Sequence, residues 1–366
     1  MRSALGCAAL GMVLLLVAGT FDAEPLFVTG AALVLLGAGA AAWIGVGGWG
    51  ATITRTVSRR SVTEEEPLGV VLEARRGRLP LPPGWIDEPL LPDPVRVRAG
   101  RGRARVRAEV TFGRRGRRVL PPTLLVLRDP LGLAQRVVTG SGPDEVLVLP
   151  RVLPVRATAA GGDAAGAHAR TALIAASETE IDGLREHREG SPANRIHWPS
   201  VARGAGMMER KLISGADSRP LVVLDPRTPA SPDALDAAVR AAGSLAVHFA
   251  RTQGCGLLLP GDRRAHMIDP DLMAWPSAHV RLALMGDAAG PSLAAAQNRR
   301  GLVIYVAART VDRAPRGLGR TPGGCLLVLP GALPGRRAVL HVGDCQGFVA
   351  GRTGSAAALA AVGAAA

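Results

Sequence analysis

Two long apolar stretches open the chain, at residues 4–21 and 26–49, separated by a short link that carries Asp22, Glu24 and Pro25. Each stretch is close to the roughly 20 residues that a helix needs to cross a bilayer. Because the link is so short, the two helices are expected to be antiparallel neighbours. The pattern therefore predicts a two-helix membrane anchor over residues 1–54.

After the anchor, short apolar runs alternate with turn residues over residues 55–156. Arg103, Arg105 and Arg107 alternate with small apolar residues, which is the period of a half-buried strand. Several short strands separated by turns predict a small antiparallel β-domain. The predicted strands are residues 68–73, 95–98, 104–111, 124–127 and 145–149.

Strands and helices alternate over residues 219–350, which predicts a mostly parallel α/β sheet. Ser231 and Pro232 begin a helix that is predicted to run to residue 252, because Ser suits the N-cap and Pro the first turn. Further helices are predicted at residues 271–285, interrupted by Pro276, and at 291–300. The predicted strands are residues 220–224, 256–259, 302–307, 325–329 and 338–342.

The predicted fold class is therefore α+β and multidomain, with two transmembrane helices, a small antiparallel β-domain and an α/β domain. Residues 157–218 connect the last two parts, and residues 351–366 form a tail of low complexity rich in Ala and Gly.

The distribution of charge predicts an orientation for the anchor. Arg2 precedes the first helix and Arg55, Arg59 and Arg60 follow the second, whereas the link is acidic. The positive-inside rule then predicts a multi-pass protein of the inner membrane with its body in the cytoplasm. A cleaved signal peptide in place of the first helix would leave the body cytoplasmic as well. Only failure of the first helix to insert would place the body outside.

Basic residues outnumber acidic ones by 44 to 30 in the 366 residues, a net charge of +14, and all but Lys211 are arginines. Residues 55–118 hold 16 Arg against 8 Asp and Glu. This excess predicts either attraction to anionic lipid headgroups or simply a solvated face on the strands. Aromatic residues are only 3% of the chain, which disfavours nucleic-acid binding by stacking. The four cysteines form no CxxC pair and suit a reducing compartment.

Polar and charged residues are densest over residues 183–212. Arginine presents a planar fork that pairs with carboxylates and phosphates. The segment is therefore predicted either to bind a phosphate or an acidic partner, or to form an internal network of ion pairs.

The same segment resembles the signature of the "domain of unknown function 58" family. The matching positions are Leu184, Arg185, Arg188, Gly190, Arg195, Ile196, Trp198, Ala202 and Arg203. Upstream, Arg114–Arg117 and the run Asp129-Pro130-Leu131-Gly132-Leu133 also resemble motifs of this family. His187 and Ser191 depart from it, because the family usually has Tyr and Asp there.

The resemblance implies a von Willebrand factor A-like, Rossmann-like domain over residues 219–350. Such domains bind Mg²⁺ through D-x-S-x-S after the first strand, with oxygen ligands that suit a hard cation. Here the stretch carries Asp225, Arg227 and Pro229, so a degenerate metal site without metal or cofactor is predicted. Asp225 is expected to pair with a nearby arginine instead.

The resemblance also implies partners, namely MoxR-type AAA+ ATPases and membrane transglutaminase-like proteins. The chain has no G-x-S-x-G, H-E-x-x-H or Walker A motif. His341 with Asp344 and Cys345 is the single arrangement that suggests a Cys/His hydrolase. The anchor and the missing catalytic motifs predict a non-enzymatic membrane scaffold. Work with an AAA+ ATPase in cell-envelope or complex assembly is what the resemblance implies. A basic lipid- or nucleic-acid-binding protein and a cryptic hydrolase are the alternatives.

Overall fold

The computed structural model describes residues 2–98, 100, 102–158, 181–186, 197–204, 206–212, 219–297, 299, 301–318, 321 and 324–350. Contacts divide the chain into two compact units, Met1–Val148 and Leu149–Ala366. This boundary precedes the expected one at residue 156. The strand Val155–Ala157 explains the difference, because it pairs with Leu340–Val342 in the sheet of the second unit.

The first unit begins with two helices, α1 (Arg2–Phe21) and α2 (Glu24–Gly47). The turn between them places Asp22 at a φ of 51°, and Pro25 occupies the first turn of α2, where a missing N–H costs nothing. The two helices pack together as an antiparallel pair. Both are long and apolar enough to cross a membrane.

Small residues form the contact between α1 and α2. On α1, Ala4, Gly11 and Ala18 are buried at intervals of seven, and Gly30 and Gly37 repeat this spacing on α2. A Cβ atom on Gly37 would lie 2.5 Å from the carbonyl oxygen of Ala4. The backbones therefore approach as closely as they do in small-residue packing of membrane helices.

The large apolar side chains of both helices point away from this contact. Leu5, Leu16, Val28 and Leu35 are each about two-thirds exposed or more. Only 17% of the most apolar 18-residue stretch of each helix is buried, whereas a core helix of a water-soluble domain buries most of one face. The hairpin therefore presents an apolar outer surface.

Ten strands complete the first unit. The sheet orders are β1-β3-β6, β2-β10-β7 and β5-β4-β8-β9, and the first and third sheets are antiparallel throughout. The strands are β1 (Thr52–Val57), β2 (Ser61–Thr63), β3 (Leu68–Arg75), β4 (Gly84–Asp87), β5 (Val95–Val97), β6 (Ala104–Val110), β7 (Gly116–Leu120), β8 (Leu124–Arg128), β9 (Gln135–Thr139) and β10 (Asp144–Leu149).

All five strands predicted for this region are present, as β3, β5, β6, β8 and β10. More and less buried positions alternate in β3, β6 and β10, and Leu68, Val70 and Leu72 of β3 are buried, whereas β8 buries three consecutive residues. The strands β1, β2, β4, β7 and β9 were not predicted. They are short or carry Thr and Arg at several positions. The apolar residues that they bury, such as Ile53, Val62 and Ile86, therefore form no apolar pattern long enough to predict a strand.

The second unit contains an eight-stranded sheet in the order β11-β19-β20-β18-β17-β14-β15-β16. A separate pair, β12 and β13, is antiparallel. The strands are β11 (Val155–Ala157), β12 (Ile181–Glu186), β13 (Met208–Leu212), β14 (Leu221–Asp225), β15 (Cys255–Leu258), β16 (His266–Ile268), β17 (Val303–Ala307), β18 (Cys325–Pro330), β19 (Leu340–Val342) and β20 (Cys345–Val349).

The large sheet is mixed, and the prediction of a mostly parallel sheet needs correction. Among the described strands, parallel pairing is confined to the four neighbours β15, β14, β17 and β18. Each outer strand pairs antiparallel with its neighbour. Three of the outer strands, β11, β16 and β20, were not predicted, and β20 forms a tight hairpin with β19 around Gly343, whose φ is 55°.

Within the described residues of the second unit, the helices are α3 (Trp198–Ala202), α4 (Pro232–Gln253) and α5 (Trp275–Ala283). The predicted start of α4 is confirmed, because the Ser231 hydroxyl accepts the N–H of Ala234 at 3.1 Å. The predicted helix at 271–285 begins only at Trp275, with Pro276 in its first turn. The helix predicted at 291–300 was wrong, since residues 291–297, which the structure describes, contain no α-helix and form only a 3₁₀ turn at Leu293–Ala295.

One face of the large sheet is covered by α4. Its buried Val239, Leu245 and Phe249 pack against Val222, Ile304 and Val328 of the parallel strands. The opposite face, with Val223, Tyr305 and Phe348, packs against segments that include Ala296 and Leu318. The parallel strands are therefore buried on both faces, which explains their nearly continuous apolar sequences.

Candidate functional site

Asp225 ends β14 at the carboxyl edge of the parallel strands. The chain continues from β14 to β15 on one side and later enters β17 on the other side, so the strand order reverses at this point. Open α/β sheets bind ligands in the crevice beside such a reversal. The Asp225 side chain is fully buried there. This edge is the candidate site of the second unit.

Both carboxylate oxygens of Asp225 accept hydrogen bonds. Arg227 donates Nε to Oδ1 at 2.8 Å and Nη2 to Oδ2 at 3.0 Å, which is a bidentate pair. The hydroxyl of Tyr305 on β17 also donates to Oδ2. Nη2 of Arg309 lies 3.3 Å from the same oxygen. Two guanidinium groups and a phenol thus share one carboxylate, and the expected pairing of Asp225 with an arginine is present.

The protonation states at this site follow from its contacts. Burial disfavours the charged form of Asp225, but hydrogen bonds from Arg227 and Tyr305 outweigh burial, and the pKa of Asp225 lies below its ordinary value. Burial, followed by the hydrogen bond to Asp225, raises the pKa of Tyr305. At neutral pH the four side chains therefore carry a net charge of about +1, from two guanidinium groups, one carboxylate and a neutral phenol.

The backbone after Asp225 is held in an unusual conformation by the same arginines. Thr228 has a φ of 45°, which a β-branched residue seldom adopts. Nη1 of Arg309 donates to the carbonyl of Arg227 at 2.6 Å and to the Thr228 hydroxyl at 2.8 Å. A Cβ on Gly290 would lie 2.6 Å from Nε of Arg227, so only glycine leaves room for the guanidinium.

These residues do not suit the Mg²⁺ that the family resemblance implies. Arg227 and Pro229 occupy the two hydroxyl positions of the motif, and neither side chain offers an oxygen ligand. The lone pairs of Asp225 already accept hydrogen bonds from Arg227, Tyr305 and Arg309. Within the described residues, no three of His, Cys, Asp and Glu lie together in a way that would hold a metal.

The arginines of this site remain partly accessible. The side chains of Arg227 and Arg309 are 46% and 30% exposed, although their partner Asp225 is not exposed at all. Their guanidinium groups can therefore meet a carboxylate or phosphate from solvent. The cluster of Asp225, Arg227, Tyr305 and Arg309 is termed the arginine lock.

The signature segment lies elsewhere in the same unit. Leu184 and Arg185 are on β12, opposite Arg210 and Glu209 of β13. Trp198 and Ala202 begin and end the short helix α3, and Arg203 follows it. The other predicted positions, Arg188, Gly190, Arg195 and Ile196, lie outside the described residues.

Local hydrogen bonds position the described part of this segment. His197 Nδ1 lies 2.6 Å from the Ser200 hydroxyl, and the His197 N–H donates to the Met208 carbonyl at 2.8 Å. These bonds attach α3 to β13 and leave the Trp198 side chain 61% exposed. A large indole displayed in this way is typical of a residue that anchors a protein–protein contact.

The cysteines are poorly placed for nucleophilic chemistry. Cys255, Cys325 and Cys345 are buried in strands, and burial raises the pKa of each thiol to about 12. The thiolate is the reactive form, and a thiol with this pKa is almost fully protonated at neutral pH. The His341, Asp344 and Cys345 arrangement therefore lacks an activated nucleophile.

Arg55 has a structural role that the sequence did not indicate. Its side chain is only 2% exposed and pairs with Glu88 and Asp144, each at 2.9 Å. It also donates to the carbonyls of Leu120 and Pro121. This predicted flanking charge of the anchor is therefore neutralised inside the β-region, and Arg59 and Arg60 remain as the flank.

Tyr305 and Arg309 were missed as site residues. Tyr305 is the chain's sole tyrosine and lies inside an apolar strand, where it looks like ordinary core. The register between two strands reveals their role. Because β17 pairs in parallel with β14 and Ala307 lies opposite Asp225, both residues are brought to the Asp225 carboxylate.

The chain matches no protein-family model, and no curated protein is significantly similar to it. The resemblance to the domain of unknown function 58 family therefore depends on the spaced motifs quoted above and stays a prediction.

Proposed function

We propose that the protein is a membrane-anchored, non-enzymatic interaction protein of the inner membrane with a cytoplasmic body. In this proposal the second unit is a von Willebrand factor A-like platform whose metal position is taken by the arginine lock. The partner proposed from the family resemblance is a MoxR-type AAA+ ATPase, in cell-envelope or complex assembly.

The arginine lock is the observation that carries the proposal. At the sheet edge where open α/β sheets bind ligands, the Asp225 carboxylate already accepts its hydrogen bonds from within the protein, and the guanidinium groups of Arg227 and Arg309 beside it are partly exposed. Such a surface can receive an acidic side chain of another protein without a metal ion. It offers no general base, because Asp225 already accepts three strong donors.

The anchor supports the membrane part of the proposal. The outward-facing apolar side chains of α1 and α2 would be costly in water and favourable in lipid. Arg2 before the hairpin and Arg59 and Arg60 after it favour a cytoplasmic body, since the link between the helices carries only acidic charge.

Anionic-lipid binding is the second candidate, and the β-region favours it in part. Arg105 and Arg107 project from the exposed face of β6. However, Arg59, Arg75, Arg103 and Arg117 pair with acidic residues, so the usable positive charge is smaller than the sequence suggests. Exposed pairs of this kind also contribute little to stability.

The test is a pull-down of the tagged full-length protein from detergent-solubilised membranes, with mass spectrometry of what is recovered. We expect an AAA+ ATPase that survives high salt with the wild type and is lost with Trp198→Ala. Met273→Ala is the matched control, because it also truncates a strongly exposed apolar side chain of the second unit. Recovery of no specific ATPase, or equal loss with both variants, would refute the proposed partnership.

A further inference from the structure

An apolar cleft of about 530 Å³ lies between α2 and the loop that joins β8 to β9. The wall on α2 includes Leu36, Gly39 and Trp43, and the other wall includes Pro83, Pro130 and Leu131. Leu131 at the loop tip is 64% exposed, and Leu35 and Trp43 beside the cleft are also exposed. The cleft therefore opens onto the same apolar surface that the hairpin presents.

The loop satisfies its own backbone, which is what a segment next to lipid requires. Asp129 accepts the N–H of Leu131 at 2.9 Å and that of Ala134 at 2.5 Å through its carboxylate. The Asp129 carbonyl accepts the N–H of Gly132 at 3.0 Å. Pro130 has no N–H to satisfy. The tip can therefore enter an apolar medium without exposing these polar backbone groups.

A cationic group lies beside this apolar tip. A Cβ on Gly132 would be 2.6 Å from Nη2 of Arg128, so the guanidinium of Arg128 lies against the loop. Arg136 donates Nη1 to the carbonyl of Gly45 at 2.8 Å, near the end of α2. An apolar cleft bordered by arginine fits an amphiphile with an acyl chain and a phosphate.

We propose that this cleft binds an acyl chain of a bilayer glycerophospholipid, whose phosphate meets Arg128. In this arrangement the Asp129–Leu133 loop enters the edge of the hydrocarbon region alongside α2. On α2 the cleft extends from Trp43 to Leu36, about 5 to 15 Å along the helix axis from Val46 at 1.5 Å per residue, which is within the half-thickness of a hydrocarbon core of about 30 Å. The proposal depends on the hairpin spanning a membrane and is independent of the AAA+ partner.

The test uses the full-length protein in nanodiscs that contain phosphatidylglycerol and a trace of phospholipid with a diazirine on its acyl chain. After irradiation, peptide mapping should place crosslinks on residues 129–134 and 36–43. Gly39→Leu should reduce these crosslinks about tenfold, which corresponds to about 1.4 kcal/mol. Gly39 lines the cleft and a Cβ atom there would meet no atom within 4 Å, so a larger side chain at this position has room to enter the cleft.

Gly19→Leu is the matched control, because position 19 on α1 is equally open and exposed. Equal crosslinking in both variants would overturn the proposal. Crosslinks spread evenly over the outer faces of α1 and α2 would do the same while leaving membrane insertion intact. An absence of crosslinks from both helices would instead contradict the membrane anchor itself.

A second measurement examines the loop directly by maleimide labelling of Leu131→Cys in nanodiscs. We expect labelling to be much slower than for Val119→Cys, an exposed position on β7, and to become equally fast in denaturant. Equal rates before denaturation would show that the loop tip lies in water, which would also overturn the proposal.

Discussion

The residue that most shapes the candidate site is Arg227. It supplies the bidentate pair to the buried Asp225, and its guanidinium lies over Gly290. A carboxylate buried in this way requires a cationic partner, since an unpaired buried charge is strongly destabilising. In this chain the cationic partner of Asp225 is the Arg227 side chain, so the loop that follows β14 should be stable without a divalent cation.

Arg227→Ala should lower the free energy of unfolding of the second unit by about 1–3 kcal/mol at pH 7, because Tyr305 and Arg309 keep part of the compensation. The partial exposure of Arg227 limits the loss. Urea unfolding in detergent, followed by tryptophan fluorescence, measures the change. Arg219→Ala, which removes an exposed pair with Asp269, should cost less than about 1 kcal/mol.

The same comparison has a predicted pH dependence. The folded-state pKa of Asp225 is depressed, so the stabilising contribution of the pair is complete above the unfolded pKa of about 4 and is lost as pH falls through the folded pKa. The difference between wild type and Arg227→Ala should therefore shrink below about pH 4. A difference that grows on acidification would contradict this assignment.

At the scale of elements, the helix hairpin depends on glycine. A Cβ atom on Gly11 or Gly37 would lie 2.6 Å or 2.5 Å, respectively, from a carbonyl oxygen of the opposite helix. Glycine at these two positions therefore allows backbone contacts that a larger residue would prevent. The apolar pattern alone predicted both helices and their antiparallel order. It did not identify the interface, because large apolar residues are equally compatible with lipid and with a partner helix.

Gly37→Leu should separate α1 from α2, whereas Gly19→Leu should leave the pair intact. The native Cys7 and a cysteine introduced at Leu33 would report on this, since Sγ of Cys7 lies 3.5 Å from the carbonyl oxygen of Leu33 on the opposite helix. We expect oxidative crosslinking between these two positions to fall about fivefold or more in Gly37→Leu, as expected when small-residue packing is lost. Unchanged crosslinking would mean that the close glycine approach does not hold the hairpin together.

At the scale of the whole molecule, the two units differ in how far sequence predicted them. The hairpin and the five most apolar strands of the first unit were predicted correctly. In the second unit the alternation of strands and helices was correct for the four central strands and for α4. The antiparallel additions β16 and β20, and the correct place of Val155–Ala157, depend on pairing partners far away in the chain.

The sequence by itself determined the elements with strong local signatures. These are the two apolar helices, the alternating strands and the capped helix α4. An unbroken apolar stretch of sufficient length decides the first two, and regular spacing of apolar residues decides the others. It also determined that positions 227 and 229 cannot supply hydroxyl ligands. Only the tertiary structure decided that Arg55 is buried, that Tyr305 and Arg309 join Asp225, and that the Asp129–Leu133 loop lies beside α2. Each of these facts depends on contacts between distant segments, and local pattern carries no information about which distant groups will meet.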